Sequence, residues 1–306
     1  MYEDHKREEI RHYATVFTEE DAEGKSGKES LFQPTPPSWT EIENRSSELI
    51  RSKTGQTLLG HLATRFEKNP DIRMLSLGSG PGGIELSVAR HALQGDILCM
   101  DFNPALLAMG TEKAVAEGLQ VRFQETDLNT VTLPPREFDI VFCHASLHHV
   151  IELERLMAQI KTALKPGGEL IVLDVVTRTG YLMWPETRKV VEEIWKTLPS
   201  ELCINHTGYG EPRPDNTVWE MDTSQSGMEC IRSGDILPLL ASRFTARHYV
   251  PYFSICRRFF DNMYGPNFDL RNPLHSAILN WVWELDRYYI ETGRLKPETF
   301  FGIYTP

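Results

Sequence analysis

Between residues 72 and 176, short apolar runs alternate with segments of helical period. IRMLSLG (72–78), DILCMD (96–101), LQVRFQETD (119–127), FDIVFCHA (138–145) and GGELIVLDVV (167–176) predict strands. GIELSVARHAL (83–93), PALLAMGTEKAVAEG (104–118) and VIELERLMAQIKTALK (150–165) carry their apolar residues three and four apart and predict helices. Strands separated by single helices and short turns give a parallel sheet covered on both faces and wound right-handed. The expected architecture is therefore α/β, a doubly wound, mostly parallel sheet.

The flanks break this rhythm. Residues 41–68 have a helical pattern through Leu49, Leu58, Leu59, Leu62 and Phe66, with Gly55 and Gly60 inside it. Before them, residues 18–30 are polar, and LFQPTPPSW excludes regular helix or central strand by its three prolines. That segment is a linker, or a lid anchored by Phe32 and Trp39. Residues 177–230 are rich in aromatics, prolines and glycines. SGDILPLLASRF (233–244) then predicts a helix, with a strand running to about Tyr249. Residues 251–298 form a second aromatic-rich, mainly helical insertion, and ETFFGIYTP closes the chain as a short strand. The division expected is an arm or lid (1–48), a core (49–176), an aromatic substrate cover (177–232) and the rest of the core (233–306).

Charge and cysteine usage narrow the class. The net charge is −11, where a nucleic-acid binder usually presents a basic face. The five cysteines include no CxxC pair, which argues against a disulfide framework or a zinc knuckle. MYEDHKREEIRHY is too charged for a signal peptide and no apolar run reaches membrane-spanning length, so a cytoplasmic protein without a membrane partner is expected.

The chemistry-bearing segment is Gly78-Ser79-Gly80-Pro81-Gly82-Gly83, between the first strand and its helix. Glycines there permit a sharp turn and close approach to a ligand, and the helix start offers unpaired N–H groups. The glycines fit both GxGxxG and GxGxG spacing. Asp101 ends the second strand, where a carboxylate can accept from both hydroxyls of a ribose. Three further features decide between the spacings: Asp127-Leu128 after the third strand, FDIVFCHASLHHV, and LKPGGELIVLD.

With these four motifs in order, the chain resembles the class I (Rossmann-like) S-adenosylmethionine-dependent methyltransferases, strongly over residues 72–176 and loosely beyond. The resemblance implies seven strands, the last antiparallel and inserted between the fifth and sixth, with ETFFGIY as that strand. It implies that Gly78, Ser79, Gly80 and Gly82 wrap the methionine part of S-adenosylmethionine, that Asp101 holds the ribose and that Phe102 covers an adenine face. Asp127 and Leu128 would line the adenine slot, and His144 and Ala145 would lie near the sulfonium. One departure stands out. The family's usual acid two places before the first glycine is Ser76 here, so the cofactor's ammonium must use backbone carbonyls, Ser76 itself or a residue of the N-terminal arm.

Methyl transfer needs an aligned nucleophile and, for a hydroxyl or ammonium acceptor, removal of a proton. His148 and His149 are the candidate bases, with His144 as a base or a polar wall of the cofactor site. Their spacing straddles a turn, so no metal site is expected from these three. Trp184, Trp195, Tyr209, Trp219, Tyr252 and Phe253 either line an apolar pocket or pack as core; Trp281, Trp283, Tyr288 and Tyr289 follow a structural helical rhythm. The function expected is methylation of an oxygen or nitrogen on a small, partly apolar metabolite, by a monomer or homodimer. Methylation of protein or RNA, which needs an open basic groove, and a dinucleotide oxidoreductase remain the competing readings.

Overall fold

The computed structural model describes residues 2–11, 35–69, 71–91, 95–207, 212–225 and 227–306. The polar stretch 18–30, Phe32 and Tyr209 lie outside them. Helix α1 (2–11) is followed by α2 (Pro37–Thr54), α3 (Leu58–Lys68), β1 (Arg73–Leu77), α4 (Gly83–His91), β2 (Asp96–Asp101) and α5 (Pro104–Ala116). Then come β3 (Val121–Glu125), β4 (Phe138–His144), α6 (Leu153–Ala163) and β5 (Leu164–Val175). The first insertion holds α7 (Pro185–Trp195) and the two-residue strands β6 (Ile204–Asn205) and β7 (Arg213–Pro214). Helix α8 (Ile236–Arg243), β8 (Thr245–Tyr252), α9 (Arg257–Phe260), α10 (Pro273–Glu291) and β9 (Thr299–Thr305) complete the order.

The main sheet has seven strands in the order β3-β2-β1-β4-β5-β9-β8. Strands β1 to β5 pair in parallel, and β9 runs antiparallel to both β5 and β8, as expected for ETFFGIY. Alternation along β4 shows how the layers form. Ile140 and Phe142 enter the core shared with α2, α3 and α4, while Val141 and Cys143 enter the one shared with α6 and α8. Being buried on both faces, β4 reads as a continuous apolar run. The strand order reverses between β1 and β4, and a crevice opens there at the carboxyl ends of the strands.

Three expectations need correction. The helical pattern 41–68 is two helices: α2 stops at Gly55, whose φ is 88°, and Thr57 caps α3 by accepting from Gly60 N. The proline segment does not exclude helix at its end, because Pro37 occupies the first turn of α2, where a missing N–H costs nothing. The helix placed at 150–165 starts at Leu153, after a 3-10 turn over Leu147–His149. Of the aromatics in the insertions, Trp195, Tyr252 and Phe253 are core, whereas Trp281 and Tyr288 are half exposed. All five cysteines are free and buried.

Asp286 of α10 is buried and accepts from Ser254 N and Ile255 N through one oxygen, at 2.9 and 2.8 Å. Burial pushes its carboxyl up to about 6. Between pH ~4 and ~6 the folded chain keeps a proton that the unfolded chain has released, so stability falls as pH rises through that window. Asp286→Asn keeps the acceptor oxygen and removes the charge. We expect it to raise stability at pH 7 by about 1–2 kcal/mol and leave it unchanged at pH 4. Urea melts at both pH values check this; a loss of stability at pH 7 would show that the carboxylate is needed.

Candidate active site

The crevice beside β1 contains a cavity of about 200 Å³. The turn after β1 forms its floor. Gly78, Gly80 and Gly82 all have positive φ, and Gly78 N and Ser79 N both donate to Met100 O. A Cβ on Gly78 would lie 2.5 Å from Cβ of Ser146, so the turn has no room for a side chain. Gly78→Ala combines this clash with a φ of 69°. We expect it to weaken cofactor binding at least ~10-fold, equivalent to about 1.4 kcal/mol, in calorimetric titration.

Asp101 closes one side. Its Oδ2 accepts from Gly80 N at 2.8 Å and its Oδ1 from Asn103 N at 2.9 Å. Burial pushes the carboxyl up, against the pull of those two N–H groups. Phe102, Leu106 and Leu128 supply apolar wall, and Ala145 faces them from the end of β4. Ala145 has a φ of 48°, a left-handed conformation that a non-glycine residue adopts under constraint from its surroundings.

Helix α1 lies over this cavity. Tyr2 Oη and Lys6 Nζ both donate to Asp127 Oδ2, at 2.5 and 2.8 Å, and Lys6 also sits 5.9 Å from the Phe102 ring centroid. Against its burial, the Asp127 carboxyl is held below its usual range by Lys6 and Tyr2. One turn further, Glu9 joins the cavity wall, accepts from Met228 N at 2.9 Å and faces His149 Nδ1 at 2.7 Å. The arm was expected as a possible lid, but Tyr2, Lys6 and Glu9 were not singled out. The sequence holds no signal for them, because their partners are between 121 and 219 residues away.

The structure brings Gly78, Ser79, Gly80, Asp101, Phe102, Leu128, Ala145 and His149 to one cavity. It places others behind the wall. Gly82 packs against Phe123. Ser76 is buried and donates to Glu85 Oε1 at 2.5 Å, and burial pushes the Glu85 carboxyl up. An acid thus stands beside position 76 after all, but α4 supplies it. His144 is stacked on Phe142, and burial lowers its pKa. His148 packs beneath the turn: its Nδ1 is 2.5 Å from Asp174 Oδ1, and Asp174 also accepts from Ser146 N and Leu147 N. Burial opposes a charge on His148, but Asp174 and Glu229 overcome it and raise its pKa. In compensation Asp174, though fully buried, is held below its usual range.

These residues fit S-adenosylmethionine. A buried carboxylate waits at the strand end where a ribose binds, an apolar slot adjoins it, and the glycine turn leaves room for close approach. Among the described residues, the ionisable groups on the wall are Glu9, Asp101 and His149, with no lysine or arginine, which suits a sulfonium cation.

Sheet order, glycine turn and strand-end acid define a class I S-adenosylmethionine-dependent methyltransferase core. Residues 75–172 match the family model described as a methyltransferase domain. Over 109 residues the chain is 34% identical to a demethylmenaquinone methyltransferase of Thermus thermophilus, covering 36% of this chain and 49% of that protein. Over 123 residues it is 27% identical to a sterol 4-C-methyltransferase of Caenorhabditis elegans, covering 40% and 36%. The chain therefore spans half or less of these curated relatives. Among solved structures, the cyclase SpnF superposes with a TM-score of 0.49 at 18% identity, covering 90% of this chain and 84% of that one. No helix among the described residues is long and apolar enough to cross a membrane.

Proposed function

We propose that this chain transfers the methyl group of S-adenosylmethionine to an oxygen or nitrogen of a small, partly apolar molecule. The observation that carries the reading is the acidic, covered cavity between the glycine turn and Asp101. Gly78, Ser79 and Gly80 would hold the methionine end of the cofactor, Asp101 the ribose, and Phe102 and Leu128 the adenine. Glu9 supplies a carboxylate on the wall in the absence of one at Ser76, and is our candidate for the cofactor's ammonium. Asp127 reaches the adenine only if Tyr2 and Lys6 share it.

The sulfonium already carries a good leaving group, so placement and exclusion of water do most of what the protein must supply. Among the histidines of the described residues, His149 is the one on the cavity wall and the one we place beside the acceptor. His144 and His148 take packing and positioning parts. Trp39 of α2 and residues of the two insertions, Tyr181 and Arg257 among them, also line an open hollow of about 270 Å³. The names of the two relatives, a demethylmenaquinone methyltransferase and a sterol 4-C-methyltransferase, agree with an acceptor of small, apolar type. The four-region division, with 1–48 as lid and 177–232 as substrate cover, is part of the same proposal.

Titration with S-adenosylhomocysteine should give saturable one-to-one heat, and no heat would overturn the reading. Incubation with methyl-labelled cofactor and a panel of phenols, quinols and amines, followed by mass spectrometry and NMR of the product, tests the acceptor atom. A label found on carbon would overturn the oxygen-or-nitrogen part alone.

A further inference from the structure

The turn after β4 and the first insertion bring together three side chains of metal-binding type. His148 Nε2 lies 3.5 Å from Glu229 Oε1, and Cys230 Sγ lies 3.3 Å from the same oxygen. One nitrogen, one oxygen and one sulfur thus converge, all within 4.8 Å of one another, and His148 and Cys230 are buried. We propose that His148, Glu229 and Cys230 bind a divalent cation of zinc type, which ties the insertion to the turn beside the cavity.

Three features support this assignment. The first is spacing. Tetrahedral zinc with bonds of about 2.0–2.3 Å sets its ligand atoms roughly 3.3–3.7 Å apart, and the separations of 3.5 and 3.3 Å from Glu229 Oε1 lie in or at the edge of that range. The second is orientation. Asp174 Oδ1 holds His148 Nδ1 at 2.5 Å, so the ring is fixed with Nε2 turned to Glu229. A carboxylate behind one imidazole nitrogen is the usual support of a metal-bound histidine. The neighbouring ring repeats the arrangement: His149 Nδ1 faces Glu9 at 2.7 Å and His149 Nε2 stands 3.5 Å from Glu229 Oε2, bordering the remaining position. The third is backbone anchoring. Ile231 N donates to His148 O, Gly180 N donates to Cys230 O, and Cys230 holds a φ of 53°. A non-glycine residue is kept in that conformation only where its surroundings demand it.

The donor set selects the ion. Mixed nitrogen, thiolate and carboxylate donors suit zinc, whereas magnesium and calcium take oxygen. Binding displaces the Cys230 thiol proton to solvent. The ligands lie far apart in the chain, so no motif announces them; the spacing of His144, His148 and His149, from which no site was expected, involves only one of the three. Methyl transfer is not needed for this inference, and its test reads the metal itself.

Purified full-length protein should carry close to one zinc per chain by elemental analysis. After chelation it should bind one equivalent of Co²⁺ with visible bands of tetrahedral cobalt and a near-ultraviolet thiolate-to-cobalt band. Cys230→Ser should abolish the thiolate band, whereas Cys203→Ser, outside the cluster, should retain it. Asp174→Asn should weaken metal affinity about 10- to 100-fold. Should the Cys230 variant fail to fold by circular dichroism, X-ray absorption at the zinc edge of the unaltered protein replaces it, with one sulfur neighbour expected. No bound metal before or after cobalt addition, or a metal with no sulfur neighbour, would overturn the proposal.

Discussion

Replacing Asp101 by alanine is expected to reduce affinity for S-adenosylhomocysteine by about 100- to 10,000-fold. Two charge-assisted hydrogen bonds to the ribose would be lost, at roughly 1.5–3 kcal/mol each. The same substitution strips Gly80 N and Asn103 N of their acceptor, so the glycine turn loses its brace along with the ligand contact. Asp101→Asn separates the two effects, because it retains one acceptor oxygen for the loop and should lose less. Calorimetric titration of both variants, with circular dichroism as a fold control, checks the order. Unchanged affinity in Asp101→Ala would show that the nucleoside is held elsewhere.

Replacing Arg258 by methionine is expected to destabilise the fold by about 3–5 kcal/mol, the usual consequence of stranding one member of a buried ion pair. Arg258 and Glu298 meet at 2.6 Å with exposures of 6% and 0%. Burial pushes the Glu298 carboxyl up to about 7 even with two arginines pulling it down. Around the pair, Glu298 N donates to Phe253 O, Val176 N donates to Glu298 O, and Arg258 reaches Tyr181 O at 3.4 Å. It therefore joins the entry to β9, the end of β5 and both insertions. In Arg258→Met the carboxylate loses its hydrogen-bonded partner and keeps only the more distant attraction of Arg257, so the loss should grow as pH rises and Glu298 ionises. Adding Glu298→Gln removes the stranded charge and should recover more than half of the loss in urea melts. A loss below about 1 kcal/mol in the single variant would mean that solvent already screens the pair.

The contrast between the two variants marks where local sequence stops being informative. Asp101 could be singled out because it ends a strand one helix after a glycine turn, a spacing imposed by βαβ geometry itself. The seven-strand arrangement and the closing antiparallel strand followed from the resemblance to the methyltransferase family, whereas the strand–helix alternation of 72–176 was legible for the same reason as Asp101. Period and turn chemistry are local, and a parallel sheet leaves few ways to connect them. Arg258 reads in the sequence as part of a solvated helix face or, with Arg257, as a partner for a carboxylate or phosphate of the substrate; only the fold shows that its carboxylate is Glu298.

Local pattern also misjudged places where tertiary packing outweighs propensity. Gly55 divides a stretch that reads as one helical pattern although RSKTGQT (51–57) carries no large apolar residue, and Pro37 opens a helix inside a segment that reads as non-helical. Ser76 looked like a missing acid because the position was judged alone. In the fold, Glu85 reaches it from the facing helix.

By itself, then, the sequence determined the sheet, the glycine turn and the acid at the end of β2, because each follows from the backbone's own periodicity and from connections a few residues long. Only the tertiary structure decided that α1 covers the cavity through Tyr2, Lys6 and Glu9, that His148 is turned toward Asp174, and that Glu229 and Cys230 meet it. Those contacts join segments far apart in the chain, and they depend on how whole layers pack, which no local spacing encodes.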